Sequence, residues 1–122
     1  VYPRFIQANL EQAIQLAEGH IDSLRPHVKT HKTVEITRMA LALGIEKHKC
    51  ATLVEAEMLA SCGVRDVMIA YPLVGPNIER LLQLQKSFPA TAFSVLADSE
   101  DGLRALDAAG RSAGRTIDVL LD

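Results

Sequence analysis

The chain has 122 residues, a length that suits one small domain. Its 48% hydrophobic and 4% aromatic residues are typical of a globular segment with a core of Leu, Ile, Val and Ala. The 13 basic side chains are offset by 15 acidic ones, which argues against partners such as nucleic acid or an anionic membrane. No apolar run approaches the ~20 residues that span a bilayer and no secretory leader is evident, so we expect a cytoplasmic protein.

The two cysteines, Cys50 and Cys62, are twelve positions apart. This spacing is typical of neither a metal knuckle nor a redox pair. We therefore expect two reduced, partly buried thiols.

The spacing of apolar residues predicts a regular alternation of helices and strands. In the first part of the chain it predicts a helix, a strand, a helix, a strand and a helix over residues 9–18, 24–29, 33–43, 49–52 and 52–63. Asn9 with Gln12, and Thr52 with Glu55, are placed as capping boxes. In the second part it predicts a strand, a helix, a strand, a helix and a strand over residues 66–71, 75–87, 92–97, 99–109 and 117–121.

This alternation predicts an α/β fold with a parallel sheet and helical crossovers. An open five-stranded sheet and the N-terminal half of a (β/α)₈ TIM-type barrel both fit the pattern. Polar residues at the ends of the strands favour the barrel, because those ends share one rim where catalytic groups lie: Lys29, Thr30, Thr52, Tyr71, Asp98 and Asp122. We expect residues 1–122 to form one partial barrel domain.

The most informative segment runs from Arg25 to Thr30. On a strand, the side chains of Arg25, His27 and Lys29 would point to one side and apolar residues to the other. If both faces of the sheet are covered, a basic row pointing inward is hard to explain as structure, whereas an unpaired amine suits nucleophilic chemistry. The alternative is that Lys29 is a solvated loop lysine.

Other candidates each have an ordinary structural interpretation. Thr52 could contact a ligand but also serves as a helix cap, and Tyr71 could face a bound ring or simply pack at the rim. The helix start at Gly75-Pro76 could hold an anion, although most such termini bind only water. Asp98 is most simply a helix N-cap.

Three segments together resemble one enzyme family: Arg25-Pro26-His27-Val28-Lys29-Thr30-His31-Lys32, Lys49-Cys50-Ala51-Thr52-Leu53-Val54-Glu55-Ala56-Glu57 and Ala70-Tyr71-Pro72-Leu73-Val74-Gly75. They are similar to the D-threonine aldolase and D-serine dehydratase group, which belongs to the alanine-racemase-like, fold-type III pyridoxal phosphate enzymes. The resemblance runs from about Leu10 to Asp122.

The resemblance implies an N-terminal (β/α)₈ barrel followed by a C-terminal β-rich domain, of which the chain contains the first half of the barrel. It implies that Lys29 holds pyridoxal 5'-phosphate as a Schiff base, with His27, Arg25, Tyr71 and Thr52 near the cofactor. It places no metal ligand in these residues, and a divalent metal in the full-length protein would be held by residues outside this chain. We also expect a homo-oligomer.

The leading hypothesis is a pyridoxal phosphate-dependent lyase that cleaves D-threonine-like β-hydroxy amino acids, with D-serine dehydration and racemisation left open. A second hypothesis is a non-catalytic barrel that binds or buffers pyridoxal phosphate. A third is an isolated open α/β domain that folds alone as a monomer. The 122 residues by themselves are expected to be inactive and to associate through an unpaired strand edge.

Overall fold

The computed structural model describes residues 2–122. It contains five α-helices, α1 to α5, over Pro3–Leu16, Val34–Ala42, Leu53–Ser61, Pro76–Ser87 and Glu100–Ala113. It contains four β-strands, β1 to β4, over Lys47–Cys50, Asp66–Pro72, Ala92–Ala97 and Asp118–Leu121. Short 3₁₀ turns occur at Ile21–Ser23 and Val28–Thr30. The predicted ranges of α2 to α5 and of β1 to β4 agree with these bounds to within a few residues.

The four strands form one parallel sheet in chain order, with a helix in each connection between them. Every second strand residue is buried in a single core with α3, α4 and α5: Cys50, Val67, Ile69, Phe93, Val95 and Ala97. Consecutive helices also pack against one another on that side. A sheet in chain order with its helices on one face is the arrangement of a (β/α)₈ barrel, because a doubly wound sheet reverses its strand order. The predicted half-barrel is therefore confirmed.

The predicted first strand over residues 24–29 is wrong. Only one parallel bridge forms, between His27 and Lys49, together with a 2.9 Å hydrogen bond from the Lys49 N–H to the Pro26 carbonyl. Pro26 has no N–H to donate to a ladder, and the chain turns into a 3₁₀ helix at Val28. Arg25, His27 and Lys29 consequently do not form one continuous face of a strand.

Two predicted helix caps are also wrong. α1 begins at Pro3, where the missing proline N–H costs nothing, so Asn9 and Gln12 lie inside the helix and form no capping box. At α5 the N-cap is Ser99, whose hydroxyl accepts a 3.2 Å hydrogen bond from the Gly102 N–H, and Asp98 lies one residue outside the cap.

The cap predicted at Thr52 is confirmed. The Glu55 N–H donates to the Thr52 hydroxyl at 3.2 Å, and the Glu55 carboxylate accepts from the Ala51 N–H at 2.8 Å. These bonds satisfy donors that the first turn of α3 would otherwise leave without partners. They place the start of α3 directly after the carboxyl end of β1.

Both cysteines are free thiols, as predicted, with Cys50 buried and Cys62 half-buried. Burial, followed by the nearby Glu55 carboxylate, raises the pKa of Cys50 to about 12. Cys50 is therefore an inert core residue.

Candidate active site

The candidate site is built on residues 27–33, which we call the Lys29 turn. The Val28 side chain is fully buried in the core, and its carbonyl accepts hydrogen bonds from the N–H groups of His31 and Lys32 at 3.1 and 2.8 Å. This turn lies directly after the bridge to β1, at the carboxyl side of the sheet. An apolar anchor and two backbone bonds thus fix the path of the chain that carries Lys29.

His27 supports the turn through its imidazole. Its Nδ1 accepts a 3.2 Å hydrogen bond from the Lys29 N–H, which places the ring proton on Nε2. Burial and the neighbouring ammonium groups of Lys29 and Lys49 lower the pKa of His27, and the Glu55 carboxylate opposes them in part. His27 is therefore a neutral acceptor at physiological pH.

Lys29 follows His27, whose side chain faces the side of the sheet that the helices leave free. Lys49 faces that side because it alternates with the buried His48 and Cys50, and His27 shares its face as its parallel partner. Lys29 approaches the His27 ring closely enough for its charge to act there. Its side chain is exposed and forms no ion pair or hydrogen bond with any residue between 2 and 122.

Glu55 attaches α3 to the Lys29 turn. Its side chain is 6% exposed, and its Oε1 lies 3.1 Å from the Lys32 Nζ, outside good hydrogen-bond direction and within ion-pair distance. Burial alone would raise the pKa of Glu55, but the Ala51 N–H and the Lys32 ammonium together hold it below its usual value. Glu55 is therefore ionised at neutral pH.

Two grooves open beside Thr52 at the carboxyl ends of β1 and β2. One, of about 390 Å³, is lined by Lys32, Thr52, Val54, Glu55 and Met58. The other, of about 310 Å³, brings Thr52 together with Tyr71, a residue that is 63% exposed. These volumes are within the ~300–1,000 Å³ range of small-molecule sites. Lys29 lines neither groove, and its turn reaches the first of them through Lys32.

Arg25 lies apart from these residues. Its guanidinium donates two hydrogen bonds, of 2.6 and 2.7 Å, to the carboxylate of Asp66, the first residue of β2. The bond and charge of Asp66 raise the pKa of Arg25 despite partial burial, and the same bond lowers the pKa of Asp66. Asp66 and Tyr71 are five positions apart on β2, roughly 16 Å along a strand, so Arg25 is at the opposite end from the grooves.

Sequence reasoning missed the second role of Glu55 and the position of Lys49. The Thr52-x-x-Glu55 spacing identified Glu55 only as a cap, and no sequence signal indicates that Lys32 reaches the same carboxylate. The basic character of Lys49 is visible in the sequence, but its place beside His27 depends on the bridge.

Other features of the described residues limit the kinds of site that they can form. Between residues 2 and 122, no group of three His, Cys, Asp or Glu side chains is arranged to hold a metal ion. In the same part of the chain, no helix combines the length and the apolar composition needed to cross a bilayer.

Comparison with known proteins identifies the family. The model of the alanine racemase N-terminal domain matches residues 3–122. The chain belongs to this family. Its resemblance to D-threonine aldolases and related enzymes, expected from three short segments, is also confirmed.

Within the family, the chain is 34% identical over 116 residues to a D-threonine aldolase from Arthrobacter sp., covering 95% of this chain and 30% of that protein. It is 28% identical over 117 residues to a D-threo-3-hydroxyaspartate dehydratase from Delftia sp. (strain HT23), covering 96% and 30%. The crystal structure of a D-threonine aldolase from Filomicrobium marinum superposes with a TM-score of 0.80 at 32% identity, covering 95% and 31%. The chain thus spans about 30% of the length of its relatives.

Proposed function

We propose that the protein is a pyridoxal phosphate-dependent lyase that acts on β-hydroxy D-amino acids and that Lys29 is the attachment point of the cofactor. The observation that carries the proposal is the Lys29 amine itself. It is exposed, lies close enough to the His27 ring for its charge to act there, and has no ion-pair partner among residues 2–122, while its backbone is fixed by the buried Val28 and by His27.

These residues fit an aldehyde cofactor. A primary amine condenses with an aldehyde and releases one water, and it must be accessible and free of a competing carboxylate to do so. When bound, pyridoxal phosphate supplies an electron sink that stabilises negative charge at the substrate Cα. Lys29 would hold the cofactor and exchange protons at its Nζ, and His27 keeps the Lys29 N–H in place through Nδ1.

Thr52 and Tyr71 are the further candidates for contact with the cofactor or substrate, because they share one groove at the carboxyl rim. The Thr52 hydroxyl already accepts from the Glu55 N–H and has its own O–H left to donate. Arg25 stays a weaker candidate, since Asp66 occupies its guanidinium.

Aldol cleavage of D-threonine-like substrates is our first choice of reaction and dehydration is the second. The names of the relatives support both: D-threonine aldolase, 3-hydroxy-D-aspartate aldolase and D-threo-3-hydroxyaspartate dehydratase. All of these names describe D-amino acids that carry a β-hydroxyl group.

Product analysis with the protein at its full natural length tests the reaction. The protein loaded with pyridoxal phosphate is incubated with D-threonine, and we expect glycine and acetaldehyde. Ammonia and a 2-oxo acid would identify a dehydratase, and L-allo-threonine, the Cα epimer of D-threonine, would identify a racemase. The Lys29→Ala variant should form none of these products. Cofactor binding at Lys29 without turnover of D-threonine or D-serine would favour the non-catalytic carrier instead.

A further inference from the structure

Glu55 combines two roles that helix caps do not usually share. Its Oε2 accepts the Ala51 N–H at 2.8 Å, which completes the capping box of α3. Its Oε1 is directed away from α3 and meets the Lys32 Nζ at 3.1 Å. A capping glutamate needs only the first contact, so the second calls for another explanation.

The backbone of Lys32 makes this contact unusual. Lys32 has φ +52°, in the left-handed region that side chains other than Gly, Asn and Asp seldom occupy. In this conformation Lys32 makes two contacts, the N–H bond to the Val28 carbonyl and the ion pair with Glu55. A strained residue thus lies three positions from the proposed nucleophile.

Burial makes the pair asymmetric. The Lys32 side chain is 62% exposed and would be well solvated without a partner, whereas Glu55 is almost fully buried. Lys32 is the only cationic side chain between residues 2 and 122 within ion-pair distance of Oε1, so the carboxylate would lose that partner if Lys32 moved away. The cost of an unpaired buried charge therefore keeps Lys32, and with it the turn, against α3.

We propose that Glu55 is a positioning residue for Lys29, acting through Lys32 to fix the Lys29 turn to the start of α3. The importance of this for cofactor attachment rests on the proposed function. The Glu55–Lys32 ion pair, which we call the clamp, forms in the protein without cofactor. Breaking it frees the turn and lowers the reactivity of the Lys29 amine, although neither Glu55 nor Lys32 reacts.

Two measurements on the full-length protein separate the clamp from the cofactor chemistry. The first is hydrogen exchange of the His31 and Lys32 amides without cofactor, in the wild type and in Glu55→Gln, Lys32→Met and Lys32→Arg. We expect exchange to be about tenfold faster in the first two variants, with Lys32→Arg close to wild type because it keeps a cation. The double variant Lys32→Met/Glu55→Gln removes the ion pair without leaving a buried charge unpaired, and it provides the measurement if either single variant does not fold.

The matched control is Ser99→Ala, which removes the corresponding cap of α5 far from the Lys29 turn. It should speed exchange in the first turn of α5 and leave the His31 and Lys32 amides unchanged. Unchanged turn amides in both Glu55→Gln and Lys32→Met would overturn the inference.

The second measurement is the fraction of Lys29 labelled after borohydride reduction at limiting pyridoxal phosphate. We expect about tenfold less label in Glu55→Gln and Lys32→Met than in Ser99→Ala. Faster exchange with undiminished labelling of Lys29 would refute the positioning role. Absence of label on Lys29 in the wild type would instead overturn the proposed function, and the exchange data would still support the clamp.

Discussion

Arg25 and Asp66 form a two-bond ion pair that ties the segment before the Lys29 turn to the first residue of β2. The two residues are 41 positions apart, and each side chain is about one-third exposed. Parallel guanidinium and carboxylate bonds fix orientation as well as distance. The segment around Pro26 does not form the row of backbone hydrogen bonds that would join a strand to the sheet. The ion pair attaches this segment to the sheet instead.

Removing this pair should destabilise the protein measurably. We expect Arg25→Gln to lower the free energy of unfolding by about 1–2 kcal/mol, less than for a fully buried pair because solvent screens part of the interaction. Urea unfolding at pH 7 measures the change. Arg104→Gln, which breaks an exposed pair with Glu100 on α5, is the control and should change stability much less. Equal effects of the two variants would contradict the structural role of Arg25.

His48 should make stability depend on pH. It is 2% exposed, its Nδ1 has no partner, and burial, followed by the charges of His31 and Arg25, lowers its pKa to about 4. The unfolded chain therefore binds a proton that the folded chain does not. The stability that neutral, buried His48 gives the folded state is fully present above about pH 6.5. As the pH falls towards 4, the free energy of unfolding drops by up to about 3 kcal/mol.

The variant His48→Leu tests this dependence. Urea unfolding between pH 7.5 and 4.5 should show a shallower loss of stability in the variant than in the wild type. Part of the slope should remain, because burial also lowers the pKa of His27 and of His31. Identical slopes in the two proteins would show that His48 does not titrate in this range.

The Thr52 cap of α3 should add to the free energy of unfolding independently of the clamp between Glu55 and Lys32. Thr52→Ala removes the acceptor of the Glu55 N–H, and we expect a loss of about 1 kcal/mol in the free energy of unfolding. Thr52→Ser keeps the hydroxyl and should stay within a few tenths of a kcal/mol of the wild type. Thermal unfolding followed by circular dichroism compares the variants. A loss as large in Thr52→Ser as in Thr52→Ala would rule out the capping role.

The exposed edge of the sheet should cause association when residues 1–122 are prepared alone. β4 is the last strand in the sheet order, and its residues Leu120 and Leu121 are 42% and 77% exposed. Sedimentation velocity should detect species larger than a monomer, and Leu121→Lys should shift the distribution towards monomer. A stable monomer over a wide range of concentration would refute this and would support an isolated α/β domain.

The regular elements were predictable because their signals are local. Apolar periodicity identified α2 to α5, and runs such as Val67-Met68-Ile69-Ala70 identified buried strands. The prediction of the first strand was wrong because the alternation of basic and apolar residues between Arg25 and Lys29 also fits an extended segment that forms only one bridge. The lack of an N–H at Pro26 and the burial of Val28 then decide the path of the chain.

The sequence indicated candidate site residues one by one, but it did not indicate how they are arranged. Lys29, Thr52 and Tyr71 were identified from positions at the ends of strands, and the structure brings Thr52 and Tyr71 to one groove. The partners of Arg25 and Glu55 depend on contacts between distant parts of the chain, which no pattern within a single segment encodes.

Chemical trapping of the cofactor decides whether Lys29 is its attachment point. The full-length protein is loaded with pyridoxal phosphate, reduced with borohydride and digested, and the modified lysine is located by mass spectrometry. If Lys29 is the attachment point, the reduced cofactor is recovered on Lys29, with no comparable label on the nearby Lys32 or Lys49. Recovery of the label on another lysine, or on none, would contradict it.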